Sequence, residues 1–291
     1  MTPFRSVFLA ILAWVGFTAS AALADDLSGT LKKIKDTGTI TIGNRESSVP
    51  FSYLDKDGTP VGYSIDLCKH IVDEVKATLG LPDLKVNYMT VSPAARIPLL
   101  ANGTIDLECS TTDRTLTRMG QVAFSSPTFV IGGRLLVKTD SGIKDWIDLR
   151  NHVVGVAQGT STEQLVKALV ATPPYAGTRV LTLKDHAAGL LALETGRVDA
   201  YATDDIVLYG LRSTSRMKDQ LVVTGQPLSI NTFGIVLRRD DPDFLLVVDR
   251  ALSKLYHSPE IETVYHKWFD PLDVPMSEAN KYMYKIGAIS P

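Results

Sequence analysis

Hydrophobic positions in this chain switch repeatedly between a period of two and a period of three to four. Ile40 and Ile42 alternate with Thr39 and Thr41, which predicts a half-buried strand over 39–43. Ile65, Cys68, Ile71, Val72 and Val75 then recur at helical spacing, predicting a helix over 64–79 that Ser64 caps and Gly80 and Pro82 close. Between the two, Asp57-Gly58 is flanked by apolar runs at 51–54 and 61–63, a hairpin signal. A strand over 85–89, a helix over 93–101 with Pro93 in its first turn, and a strand over 105–109 follow. A short amphipathic helix over 27–34 precedes all of these.

The order strand, helix, strand, helix, strand is that of an open, mostly parallel sheet with helices on its faces. An extended segment over 130–138, containing Gly132-Gly133, leads into a second such series. Its strands fall at 153–156, 179–183, 200–203 and 221–224, and its helices at 162–171, 186–195 and 204–211. A second extended stretch, 233–237, returns the chain to helices over 242–256 and 259–269, with Trp268 and Phe269 as packing anchors. Residues 276–291 show no core-facing period and are expected to form a loose tail. The fold class is therefore α/β, with two lobes of mostly parallel sheet joined by two extended crossovers. Glycines 132, 133 and 234 suit hinge rotation at those crossovers.

Composition narrows the class. The chain has 291 residues, 45% hydrophobic and 21% charged, enough for two lobes, and its net charge of −2 argues against a nucleic-acid or anionic-membrane partner. The first 24 residues stand apart. Arg5, an apolar run from Val7 to Phe17, and Ala22-Leu23-Ala24 have the order of a secretory signal cleaved after Ala24. The run is shorter than the ~20 residues a membrane span needs. Export makes a disulfide between Cys68 and Cys109 possible, and two small buried core residues are an equal alternative.

Candidate chemistry gathers where predicted strands end, which is where open α/β sheets bind ligands. Beyond strand ends in the first half lie Arg45, Ser92 with Arg96, and Thr111 with Asp113, followed by Arg118. In the second half the same positions hold Gln158-Gly-Thr-Ser161, His186 and Asp204-Asp205. Hydroxyls at a strand end and free N–H groups at a helix start suit an anion. Guanidinium groups fit carboxylates. Three arginines exceed what one carboxylate needs, so with His186 they call for a second; Asp204 or Asp113 supplies the charge facing an ammonium. A dicarboxylic amino acid meets this inventory. Each residue also has a structural alternative: Arg45 paired with Glu46 on the surface, Arg96 on a solvated helix face, His186 or Asp204 as helix-terminal groups. Asp106 and Glu108 share a strand face, which does not suit a paired-carboxylate hydrolase. Gly-x-Ser-x-Gly, P-loop and His-Glu-x-x-His signatures are absent from the sequence, so binding without catalysis, metal or cofactor is the expectation.

Four segments carry a resemblance: 43–53 (Gly-Asn-Arg-Glu-Ser-Ser-Val-Pro-Phe-Ser-Tyr), Arg96-Ile-Pro-Leu-Leu, 102–109 (Asn-Gly-Thr-Ile-Asp-Leu-Glu-Cys) and Lys184-Asp-His186. They resemble the periplasmic glutamate/aspartate-binding proteins of ABC importers, in the polar amino-acid solute-binding family. The resemblance implies the two-lobe periplasmic binding protein fold, with 25–131 plus 235–291 as lobe 1 and 132–234 as lobe 2. It implies a monomeric receptor that closes on an acidic amino acid and delivers it to a membrane permease. Arg118 matches the α-carboxylate arginine, helped by Thr111 and the Gly159–Ser161 loop; Asp204 matches the ammonium-binding aspartate; Arg45, Arg96 and His186 match the groups around the side-chain carboxylate. Phe51 and Tyr53 are expected to wall the ligand. Three places depart from the pattern, one of them Thr160-Ser161-Thr162 after Gly159, where the family usually has Thr-Thr-Ser. Pro93 stands where the family usually has serine, leaving Ser92 beside it. Asp113 stands where threonine is frequent, and either strengthens the ammonium site or neutralises Arg118. The alternatives are a receptor for another small dicarboxylate and a dehydratase-like enzyme on the same scaffold, for which Asp113 is the one candidate acid.

Overall fold

Two sheets share one long strand. The computed structural model describes residues 27–290; the expected leader, 1–24, and its expected cleavage site lie outside the described residues. In the first sheet Thr39–Asn44 lies between Lys85–Thr90 and Leu107–Glu108, parallel to both. Ile230–Arg238 pairs antiparallel with Leu107–Glu108, and the long strand Val122–Lys138 pairs antiparallel with Ile230–Arg238. In the second sheet Val153–Ala157 lies between Arg179–Leu183 and Ala200–Asp204, again parallel to both. The far end of Val122–Lys138 then pairs antiparallel with Ala200–Asp204 on one edge and with Leu221–Thr224 on the other. Pairing with Ile230–Arg238 ends at Gly132 opposite Ile230, and pairing with Ala200–Asp204 begins at Gly133 opposite Asp204. The two lobes are thus mixed α/β units, each built round three parallel strands in the same spatial order.

In both sheets the first strand of the series is central and its successors flank it on opposite sides. Chain order reverses there, so the crossover helices leave a crevice beyond the carboxyl ends of the strands. The crevices of the two lobes face each other. Gly159 fits tightly where they meet: its φ is +77°, and a Cβ there would lie 2.7 Å from the Ala94 Cα of the opposite lobe. Side chains also cross the gap. Arg118 Nη2 donates to the Gly159 carbonyl at 3.0 Å, Ser161 Oγ donates to the Asp113 carboxylate, and Ala187 N–H donates to Ser47 Oγ at 3.3 Å. The lobes are closed on one another.

Three expectations need correction. The helix over 64–79 begins at Tyr63 with Gly62 as its N-cap, at φ +132°, where any side chain would strike the Phe51 carbonyl. Ser64 Oγ instead donates to the Ser110 carbonyl at 2.9 Å. The helix expected from Pro93 begins at Arg96, because a turn anchored on the Ser92 carbonyl occupies the first residues. The expected loose tail contains a helix, Glu278–Gly287, with Met283 and Tyr284 buried. Tyr284 OH lies 2.7 Å from Tyr63 OH, and Asn280 Oδ1 accepts from the Val130 N–H of the long strand at 2.8 Å. Its buried face (Asn280, Met283, Tyr284, Gly287) has two apolar side chains, while Tyr282 and Ile286 point outward. That arrangement erases the periodic signal.

Phe51 does not wall the site. It is fully buried, with the rings of Tyr63, Phe129, Phe233 and Phe269 at 5.1–5.8 Å. Tyr53 packs edge-on against Trp268. Cys68 and Cys109 form a disulfide that ties the helix Tyr63–Leu79 to the end of the strand Leu107–Glu108, immediately before Ser110–Asp113. Closing a loop of 41 residues' separation removes unfolded-chain entropy worth about 4 kcal/mol. Adding reductant to the oxidised protein is therefore expected to lower its urea-unfolding free energy by about 2–4 kcal/mol. A Cys68→Ser, Cys109→Ser variant that unfolds at the same urea concentration as the oxidised wild type would contradict this.

Candidate functional site

Strand Thr39–Asn44 delivers Arg45 into the crevice. Its backbone N–H donates to Ser52 Oγ at 2.9 Å, so the small sheet of Ser47–Ser48, Ser52–Leu54 and Pro60–Val61 fixes the turn that carries it. Arg45 is 1% exposed, which excludes the surface pairing with Glu46, and its Nη1 has no hydrogen-bond partner among the described residues. Arg96, at the start of the helix Arg96–Ala101, is equally buried. Its Nη1 donates to the Thr111 carbonyl at 2.9 Å and lies 4.0 Å from Glu108 Oε1, while its Nε is without a partner. Burial lowers the pKa of both guanidinium groups. For Arg96 the neighbouring Arg118 adds to the effect and Glu108 opposes it, leaving the value at about 9.

Glu108 is the residue that sequence reasoning undervalued. It is fully buried, and its carboxylate accepts from Ser110 Oγ and, at 2.7 Å, from Thr112 Oγ1. The strand-end hydroxyls expected to serve a ligand are thus spent in orienting an internal counter-charge for Arg96. The available signal was a glutamate followed by hydroxyls two and four residues on. Thr111 itself is buried and contributes its carbonyl to Arg96. Ser92 is exposed, and its Oγ accepts from the Ala95 N–H, a turn-capping bond that leaves it outside the buried cluster.

Arg118 is half-buried in the short helix Leu116–Met119, which Thr115 caps. Its Nη1 donates to the Asp113 carbonyl at 3.1 Å. From the other lobe, the helix Ser161–Val170 presents Ser161, with Thr160 as the cap and Glu163 Oε2 accepting from the Gly159 N–H at 2.7 Å. His186 begins the helix His186–Glu194, but Asp185 does the capping, accepting from Ala188 N–H at 2.9 Å. The imidazole is 2% exposed, with Nδ1 2.8 Å from Tyr201 OH. Burial, then Arg45 and Arg96, hold its pKa well below the usual value, so it is neutral at pH 7. The imidazole is therefore a neutral, hydrogen-bonded group among cations. Tyr201 is the second group the sequence did not single out; burial raises its pKa, so it keeps its proton.

Asp204 ends the strand Ala200–Asp204 and is 7% exposed. It stands at the N-cap of the helix Asp205–Thr214 yet makes no capping bond. Asp205 takes the structural role, its Oδ1 accepting from Ile206 N–H at 2.8 Å and Gly132 N–H at 3.3 Å. Burial first, then Asp113 and Asp205, raise the Asp204 pKa well above the usual carboxylate value, against the pull of Arg118 and Arg96. The cluster therefore has one pole of arginines and a neutral imidazole and another pole of carboxylates. Asp113, the one candidate acid for catalysis, has its carboxylate hydrogen-bonded to Ser161. Among the described residues no group of histidine, cysteine, aspartate and glutamate side chains is arranged to hold a metal.

Two α/β lobes closed over a buried, polarised cluster of charged side chains define a binding protein for a small charged solute. The chain belongs to the bacterial extracellular solute-binding proteins, family 3, which match residues 40–271. It is similar to the L-glutamate/L-aspartate-binding protein of Pseudomonas aeruginosa, 43% identical over 90% of this chain and 90% of that one. Similarity to the glutamate/aspartate import solute-binding protein of Escherichia coli is 40% identity over 91% of this chain and 88% of the relative. Among solved structures, an ancestral arginine-binding protein bound to arginine has a TM-score of 0.71 and 31% identity, over 80% of this chain and 98% of that one. These proteins are named for binding and import rather than for a reaction.

The raised Asp204 carboxyl has a consequence for stability. A carboxyl that holds its proton more tightly in the native than in the unfolded state contributes stability below its unfolded value near 3.8, and loses it as pH rises through the folded value. Asp204→Asn removes that penalty. The ligand-free variant is expected to melt above wild type at about pH 8, with the gap closing as pH falls toward about 4. A gap that stays constant across this range in thermal melting would contradict the assignment.

Proposed function

We propose that the chain is a receptor for an acidic amino acid, glutamate or aspartate, which it encloses between its lobes and delivers to the membrane permease of an ABC importer. The observation that carries this reading is the pair of buried, unpartnered donors, Arg45 Nη1 and Arg96 Nε, in a cluster with Arg118 and His186. Removing charged donors from water without an acceptor costs several kcal/mol each. Ligand carboxylates would satisfy those donors. In this reading Arg45, Arg96 and His186 take the side-chain carboxylate. Arg118, Thr111 and Ser161 take the α-carboxylate, and Asp204 takes the ammonium. Ser92, exposed and engaged in its own turn, is given a supporting part at most.

The lobes are assigned as 25–131 with 235–291, and 132–234. The change of pairing partner between Gly132 and Gly133 supports this division, as do the register shifts on either side of Gly234. Rotation about these two strands would open the crevice to ligand. Closure excludes water and strengthens each charge-assisted bond, worth about 1.5–3 kcal/mol net. A few such bonds, less the costs of association and ordering, give about −8 kcal/mol, a micromolar receptor. Export to the periplasm with removal of 1–24, and a monomeric state, complete the proposal. The names of both relatives support the acidic ligand class, and the family's description as extracellular supports export.

Calorimetry on ligand-stripped protein tests the charge argument. Glutamine is expected to bind at least about tenfold more weakly than glutamate, because one guanidinium then faces an amide. Arg45→Met should weaken glutamate binding by about 10–100-fold without lowering the melting temperature, since the variant removes a buried charge that had an unsatisfied donor. Equal affinity for glutamine and glutamate would reject the acidic ligand, and unchanged glutamate affinity in the variant would reject Arg45 as a contact.

A further inference from the structure

Asp113 makes a contact that the acidic-ligand reading does not require. The residue is 4% exposed, and its carboxylate accepts a hydrogen bond from Ser161 Oγ of the opposite lobe. The same two loops are joined again by Arg118, which donates from Nη1 to the Asp113 carbonyl at 3.1 Å and from Nη2 to the Gly159 carbonyl at 3.0 Å. A backbone bridge from Asp113 to Phe233 ties this junction to the returning strand. One residue of lobe 1 therefore touches lobe 2 and one of the two connecting strands.

Under the proposed function, on which this inference rests, Ser161 and Arg118 are the groups that hold the ligand's α-carboxylate. Asp113 presents the same chemical group to Ser161 and lies beside Arg118. We propose that Asp113 is a tethered stand-in for the ligand α-carboxylate, clasping the lobes in the ligand-free protein and lowering affinity by competing for Ser161 and Arg118. A tethered carboxylate loses little freedom on engaging a donor, whereas a free ligand loses its translational and rotational freedom. An arriving ligand must displace the clasp, and its own α-carboxylate then shares Arg118 with a displaced anion. Asp113 also adds a like charge beside Asp204, the group assigned to the ammonium. Both effects set affinity in the same direction. A residue that strengthened the ammonium site would act oppositely.

The test uses the full mature chain, stripped of ligand, as wild type, Asp113→Thr and the isosteric Asp113→Asn. Glutamate and aspartate are titrated by calorimetry, and X-ray solution scattering is recorded with and without saturating glutamate. Both variants are expected to bind about tenfold more tightly, the size of one charge-assisted hydrogen bond gained. The ligand-free variants should have a larger radius of gyration than ligand-free wild type, and the difference should vanish on saturation. Unchanged or weaker binding overturns the proposal, and so does an unchanged ligand-free radius. If no protein in the set binds either amino acid, it is the acidic-ligand reading that fails, and the scattering comparison still decides whether Asp113 holds the lobes together.

Discussion

Burial of guanidinium groups without full hydrogen bonding is the constraint on which the site depends. Arg45 and Arg96 are each 1% exposed, and each keeps a donor that no described residue accepts. Taking such ions out of water is among the most expensive steps a fold can include. The surrounding residues limit the expense without removing it. Glu108 offers Arg96 a counter-charge at 4.0 Å, and Ser110 and Thr112 hold that carboxylate in place. His186 stays neutral, so it adds a hydrogen-bonding group without a fourth positive charge. The result is a buried cluster whose positive charge the chain only partly neutralises.

The fold makes this possible by geometry. Most of the candidate groups sit at or just beyond the carboxyl ends of parallel strands, three in each lobe: Arg45 after Thr39–Asn44, Arg96 after Lys85–Thr90, and Thr111 and Asp113 after Leu107–Glu108. Ser161, His186 and Asp204 hold the corresponding places after Val153–Ala157, Arg179–Leu183 and within the end of Ala200–Asp204. A strand interior buried on both faces can bear few charges. Its end lies next to a helix start, where N–H groups and short polar side chains are already needed. The core behind the strand ends remains apolar and rigid, with the Phe51 aromatic cluster and the Cys68–Cys109 disulfide directly behind the first lobe's loops.

Much of this was legible in the chain because period and punctuation agree locally. Strands of alternating apolar residues ended in polar runs at six corresponding places, which pointed to the candidate cluster before any side chain was oriented. What stayed hidden depended on orientation. Alternation put Glu108 opposite Leu107 without saying that the carboxylate would be fully buried beneath an arginine. The run 43–53 carried the resemblance and Phe51 was expected to wall the ligand, yet Phe51 lies behind that run, as core. Whether Cys68 meets Cys109 depends on how the helix Tyr63–Leu79 lies on the strand, a tertiary fact that spacing alone leaves open. The helix Glu278–Gly287 was missed because half of its buried face is asparagine and glycine, residues chosen by a strand N–H and by a close tyrosine ring.

Polarity across the cluster explains why closure and recognition are one event. Burial first and the arginine pole second depress the His186 pKa, and burial first and the neighbouring carboxylates second raise that of Asp204. Each pole is strained by its own like charges, and each strain grows as water leaves, because screening falls with it. Lobes that close on a ligand of the wrong polarity therefore meet a rising electrostatic cost at both ends. Under the proposed function, a zwitterion with a second carboxylate would put anions against the arginines and a cation against the aspartates, so the same loss of screening would turn from penalty to attraction. Selectivity then needs no precise steric fit at the ammonium end. It follows from the sign of the charges that the closing lobes desolvate.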